Sequence, residues 1–151
     1  MAVDELAFRL LHEDRSLQVI DFRPAEAFVR LSLPGATSFT IDNLFEKEPN
    51  QVLTLKHRTN VFVADDEETE RQIAIMATEL GYENIRVLRG GLRAFRDRFL
   101  PGPGGADAGG PADEWTARFR DHARKALPDM LQKRSSSGPV KKTQKRVLGG
   151  C

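Results

Sequence analysis

The residues best placed to do chemistry are an acidic run, an Asp/Arg pair and one thiol. Asp65, Asp66, Glu67, Glu68 and Glu70, broken only by Thr69, follow directly on the apolar stretch Asn60, Val61, Phe62, Val63 and Ala64. So many carboxylates side by side oppose the binding of an anion, and no thiol accompanies them. They also have a purely structural use, since acids in the first turn of a helix interact favourably with its dipole, by roughly 0.3–1 kcal/mol each when exposed. Asp65 with Glu68 has the spacing of a capping pair. Asp21 and Arg23 close a second apolar run, either as the rim of a site or as a turn in which Asp21 caps the chain and Arg23 pairs with a carboxylate such as Glu26. The only cysteine is Cys151, the final residue, after Gly149 and Gly150. One cysteine and three scattered histidines argue against an internal zinc site, and nothing in the chain calls for a cofactor. His57, between Lys56 and Arg58, reads as a solvated loop residue.

The elements that must position these residues follow from the spacing of apolar side chains. Residues 60–64 form the short, continuously apolar run of a strand buried on both faces, and Ile73, Ala74, Met76, Ala77 and Leu80 then recur at helical spacing. Gly81 ends that helix, and Ile85, Val87 and Leu88 make a further strand leading to Gly90 and Gly91. The whole is a βαβ unit, whose right-handed crossover lays the two strands parallel. Chemistry in such a sheet falls at the carboxyl ends of its strands, where the acidic run stands. Upstream, Leu6, Ala7, Leu10 and Leu11 predict an amphipathic helix over 4–11 with Asp4 as its N-cap. A strand over 17–21 follows, then a short helix from Pro24 to Arg30. A strand over 36–39 and a short helix over 41–48 come next, with Thr40 or Asp42 near the helix start.

Several motifs occur in a familiar order. Val19-Ile20-Asp21-Phe22-Arg23 with Glu26 and Phe28, Leu33-Pro34-Gly35-Ala36, and Gly90-Gly91-Leu92 with Phe95 resemble the rhodanese-homology domain over about residues 1–100. The resemblance implies a three-layer α/β/α domain with a mostly parallel sheet of about five strands, the first of them preceding the helix at residue 4. It also implies a site in which a strand ends in a catalytic cysteine and a loop cradles its persulfide. Counting back from Leu80-Gly81-Tyr82, that cysteine falls on Ala64, or on Asp65 if the loop is one residue shorter. Neither carries sulfur, so the active-site loop of residues 64–70 is degenerate and no thiosulfate sulfurtransferase activity is expected. Phosphatase chemistry of the same fold needs a thiolate opposite Arg71, which is missing as well.

At 151 residues and a formal net charge of +1, the chain suits one domain with no global attraction to nucleic acid or membrane. It shows no apolar run of the ~18 residues a membrane span needs and no signal peptide, so a cytoplasmic location is expected. Only residues 1–3 remain for the family's first strand, so the start is either trimmed or cut from a longer chain. A Gly/Pro linker over 101–112 precedes an amphipathic helix over 113–132, on which Trp115, Phe119, Ala123 and Ala126 fall near one face. That helix is expected to fold back on the domain through Trp115 and Phe119, with Pro128 bending or ending it. The tail from 133 to 151 carries Lys133, Arg134, Lys141, Lys142, Lys145 and Arg146 without an acid, and disorder is expected there. Two functions compete for the whole. One is an inactive docking module for a protein partner. The other is a sulfur-relay carrier, whose Cys151 accepts sulfane sulfur from a sulfur-transfer enzyme, nearby cations favouring the reactive thiolate.

Overall fold

The computed structural model describes residues 1–46, 50–100 and 112–136. The expected tail from 137 onward, Cys151 included, all but the last residue of the expected linker, and the end of the short helix at 47–48 lie outside the described residues. Four strands, β1 (Leu17–Asp21), β2 (Thr37–Ser38), β3 (Thr59–Val63) and β4 (Ile85–Val87), form one sheet in the order β2-β1-β3-β4. All three pairings are parallel. The helices are α1 (Val3–Leu11), α2 (Ala25–Arg30), α3 (Glu67–Glu79), α4 (Gly91–Phe99) and α5 (Glu114–Ser136), with a 3-10 turn at Ile41–Phe45.

Strands β1 and β3 lie in the middle because their side chains are apolar on both faces, and the period of two deals those side chains to two cores. Val19, Val61 and Val63 pack with Leu6 and Leu10 of α1, Leu92, Phe95 and Phe99 of α4, and Ala123 and Leu127 of α5. On the opposite face Ile20 and Phe62 pack with Leu44, Leu53, Tyr82 and, from α3, Ile73 and Ala77. The result is the expected α/β/α arrangement with four strands. Where a further strand was expected, the terminal amine of Met1 donates to the Val87 carbonyl at 2.6 Å and the Arg89 N–H donates to the Met1 carbonyl at 2.9 Å. One residue thus pairs beside β4 before α1 begins at Val3.

Three local expectations are corrected. Asp4 is not the cap of α1, whose N-cap position is Ala2. Asp4 instead receives Arg120 through Nε at 3.0 Å and Nη2 at 2.8 Å, and Arg98 through Nη1 at 3.0 Å. Burial pushes the Asp4 carboxyl up, but the bonds and charges of these two arginines overcome it and hold it below its ordinary value. Trp115 does not anchor α5, since it is 78% exposed. The helix docks through Ala123 and Leu127, both fully buried, with Phe119 packed against the same core. Nor does Pro128 end α5, which runs on to Ser136. Leu127 is clamped in the core one residue earlier, and Arg124 Nε donates to the Arg98 carbonyl at 3.0 Å, so the preceding turn is held while Pro128 removes a single backbone donor.

Candidate functional site at the strand ends

The chain leaves β3 at Ala64, which is buried, and turns through Asp65 and Asp66 into α3. The helix begins there because Asp66 adopts an extended backbone and its side chain accepts from Thr69, through N–H at 2.8 Å and Oγ1 at 2.9 Å. The capping pair is therefore Asp66 with Thr69 and not Asp65 with Glu68. The Thr69 N–H holds the Asp66 carboxyl below its ordinary value. Asp65 and Glu68 project into solvent.

Glu70 does the opposite and turns inward until it is fully buried. Its Oε1 accepts from the Ala64 N–H at 2.9 Å and its Oε2 from the Leu88 N–H at 3.0 Å, so one carboxyl joins the end of β3 to the end of β4. Burial pushes this carboxyl up to about 8, aided by the charges of Glu67 and Asp66 and opposed by the two amide donors. Glu67 seals the neighbouring turn, accepting from the Gly90 N–H at 2.7 Å while pairing with Arg71. Its carboxyl is held down first by Gly90 and then by Arg71. The second glycine of that turn is required, because at φ +67° a Cβ on Gly91 would lie 2.9 Å from the Asp66 backbone. The Leu92 N–H reaches the Ala64 carbonyl at 3.3 Å and completes the closure.

One strand over, Asp21 and Arg23 form a buried pair. Arg23 Nη2 lies 2.7 Å from Asp21 Oδ2, its Nε donates to both carboxylate oxygens, and its backbone N–H donates to Oδ1 at 2.9 Å. Nη2 also donates to the Leu31 carbonyl at 2.5 Å. Arg23 thus takes Asp21 rather than Glu26. The Asp21↔Val63 register, with the Phe22 N–H on the Val63 carbonyl at 2.9 Å, sets this pair beside Ala64.

Of the residues singled out in the sequence, Ala64, Asp66, Glu67, Thr69 and Glu70 meet at one place, Asp21 and Arg23 border it, and Asp65 and Glu68 form its exposed lip. His57 is exposed. No group of three or more His, Cys, Asp or Glu among the described residues could hold a metal ion, and no helix among them is long and apolar enough to cross a membrane. Sequence reasoning missed the inward turn of Glu70. The signal was present, because Glu70, Ile73 and Ala77 recur at i, i+3, i+7 and share the buried face of α3. Chemically, the site offers no nucleophile at the end of β3. Four of its backbone N–H groups, on Ala64, Thr69, Leu88 and Gly90, are taken by the chain's own carboxylates.

The fold and this arrangement place the chain in a known class. Residues 4–98 match the family described as Rhodanese-like domain, and the chain belongs to that family. Its fold is shared with a rhodanese-related protein from Thermoplasma volcanium, with a TM-score of 0.55 at 17% identity over 67% of this chain and 93% of that one. The Alr3790 protein from Anabaena sp. matches with a TM-score of 0.55 at 19% identity, over 89% of this chain and 99% of that one. A Rhodopseudomonas palustris protein of unknown function, described as a possible tyrosine phosphatase, matches with a TM-score of 0.56 at 19% identity, over 64% and 77%. At these identities the likeness is one of fold. No curated protein sequence matches the chain.

Proposed function

We propose that this protein is a catalytically inactive rhodanese-like domain that works as a protein-docking module. The observation that carries the reading is the self-occupied site. Ala64 stands where the family resemblance puts the sulfur-bearing residue, and four of the amides around it, on Ala64, Thr69, Leu88 and Gly90, are bonded to Glu70, Asp66 and Glu67. A thiolate is needed to attack sulfane sulfur and to hold it as persulfide, and an alanine does neither. What the site presents outward is charge, with Asp65 and Glu68 exposed at the lip, which suits a basic partner surface. An open groove of about 270 Å³ between α3 and β4, lined by Arg71, Ala74, Ile75, Thr78, Glu79 and Ile85, adds a mixed polar and apolar foothold beside it.

The test has two arms. Thiocyanate formation from thiosulfate and cyanide by the Cys151→Ser protein should stay at background, and a rate well above it overturns inactivity. Photo-crosslinkers at positions 65 and 68 should trap a partner whose binding is abolished by Asp65→Lys with Glu68→Lys and survives removal of residues 134–151. The competing reading, a sulfur-relay carrier, draws on the single cysteine at the chain end after Gly149 and Gly150. It predicts the reverse, with function lost on that truncation and one added sulfur atom at Cys151 after incubation with a persulfide donor, removable by reductant.

A further inference from the structure

Glu70 is buried among backbone and apolar groups with no cation in contact. The charged side chains that act on it are Glu67 and Asp66, both of its own sign and from its own turn. From the turn between β4 and α4, Arg89 acts on Glu67. Near the end of β1, Arg23 is paired with Asp21 and donates to the Leu31 carbonyl. From the ends of β3 and β4 come the Ala64 and Leu88 amides, both donating to its carboxyl.

A neutral carboxyl suits that setting, since lone pairs remain on both oxygens to receive the two N–H groups. An ionised one is short of compensation. Two amide donors offset part of the charge, but burial and two neighbouring carboxylates oppose it, and moving the side chain to water relieves both at once. Such a move must release Ala64 and Leu88 together, because the two oxygens of one side chain hold both.

We propose that Glu70 is a proton-controlled latch. Neutral, it stays buried and ties the end of β3 to the end of β4; ionised, it is driven out and frees the loop over residues 64–69. The proposal concerns the loop's own order and stands whatever the loop binds. The direction in pH follows from linkage. The proton is bound more tightly in the latched form than in the open one, so opening is favoured as pH rises above the ordinary carboxyl range and levels off once the latched form itself ionises.

The experiment is residue-resolved amide hydrogen exchange on the full chain from pH 5 to 9, corrected for the intrinsic rate. Protection at Ala64 and Leu88 should fall together by up to about tenfold per pH unit and flatten above about pH 8, while Ile73 in the middle of α3 stays flat. In Glu70→Gln, which has no proton to lose, the pH dependence at those two amides should vanish. Flat protection in the unaltered protein, or the same fall in Glu70→Gln, overturns the latch. Should that variant fail to fold, the carboxyl carbon shift of Glu70 in the unaltered protein decides. A midpoint well above the ordinary carboxyl range supports the latch, and one within it overturns the proposal.

Discussion

Two buried carboxylates sit at neighbouring strand ends and are held in different ways. Asp21, at the end of β1, has a guanidinium in contact through three donor–acceptor distances of 2.7, 3.0 and 3.2 Å, and Arg23 in turn spends a further donor on a backbone carbonyl. Glu70, behind the end of β3, has two amides and no cation. The first arrangement is a charge matched by a charge two residues away, formed within one turn of chain. The second is a bridge to amides 6 and 18 residues away in the chain, made by a side chain that enters from a helix. A matched pair holds its local turn and depends on its partner. A bridge holds the tertiary closure of the loop, and it is sensitive to its own proton.

The sharpest way to break the comparison is to remove the cation. Arg23→Ala leaves Asp21 buried without a counter-charge and is expected to destabilise the fold by about 3–5 kcal/mol, read as a fall in the urea midpoint at unchanged m-value. Glu70→Ala comes next. It strands two buried amide donors, each with a desolvation penalty of about 1–3 kcal/mol, so a total loss of roughly 2–6 kcal/mol is expected by the same measurement at pH 6. If Glu70→Ala proves as stable as the unaltered protein, the bridge contributes nothing and the closure belongs to the Gly90–Gly91 turn.

The pH profile tests the two kinds of carboxyl against each other. Glu70 is raised from 4.5 to about 8, so its proton is bound more tightly in the fold. Its contribution is full below the unfolded value, falls as pH climbs from about 4.5 to 8 and then levels, for a loss of at most about 5 kcal/mol. Asp66, Glu67 and Asp4 are lowered, and Asp14 is lowered to about 2, chiefly by the Ser16 hydroxyl. Their contributions are present above their ordinary values and are lost as pH falls through the folded ones. Urea midpoints should therefore be highest in mildly acidic buffer, decline toward pH 8 and collapse in strong acid. Glu70→Gln should remove the alkaline slope and leave the acid limb in place.

How much of this was legible in the sequence depended on range. Strand β1 was read to the residue, and β3 to within one, because five consecutive positions facing two cores leave little freedom. The contact of Asp4 was invisible, since Arg98 and Arg120 lie 94 and 116 residues away. Acid at helix position two looks the same in sequence whether it caps, faces water or receives two arginines. Trp115 and Pro128 misled for a related reason. Aromatic bulk suggested an anchor and a missing N–H suggested a stop, yet small Ala123 fits the seam against α1 and α4, and Leu127 fixes the turn before the proline. Glu70 was legible in spacing and was overlooked because a charged residue in an acidic run reads as exposed. The arrangement of Ala64, Glu67 and Glu70 around the glycine turn is a tertiary fact, and no local pattern encodes which carboxylate goes inward.

The smallest expected effect separates the two acids that flank the start of α3. Asp66 caps the helix and Asp65 only projects from it, although they are adjacent and chemically alike. Asp66→Ala removes the acceptor for the Thr69 N–H, which lies in the first turn and has no carbonyl partner within the helix, so a loss of about 1 kcal/mol is expected. Asp65→Ala should fall within about 0.5 kcal/mol of the unaltered protein, because no contact is lost and only a dipole interaction at an exposed site is removed. Asp66→Asn keeps the acceptor oxygen while removing the charge, and should recover most of the stability that Asp66→Ala forfeits. If Asp66→Asn is instead as damaging as Asp66→Ala, the helix start depends on the negative charge rather than on the cap. Asp65 and Asp66 would then be expected to act alike, and the division of the loop into an inward-facing closure and an outward-facing lip would have to be redrawn.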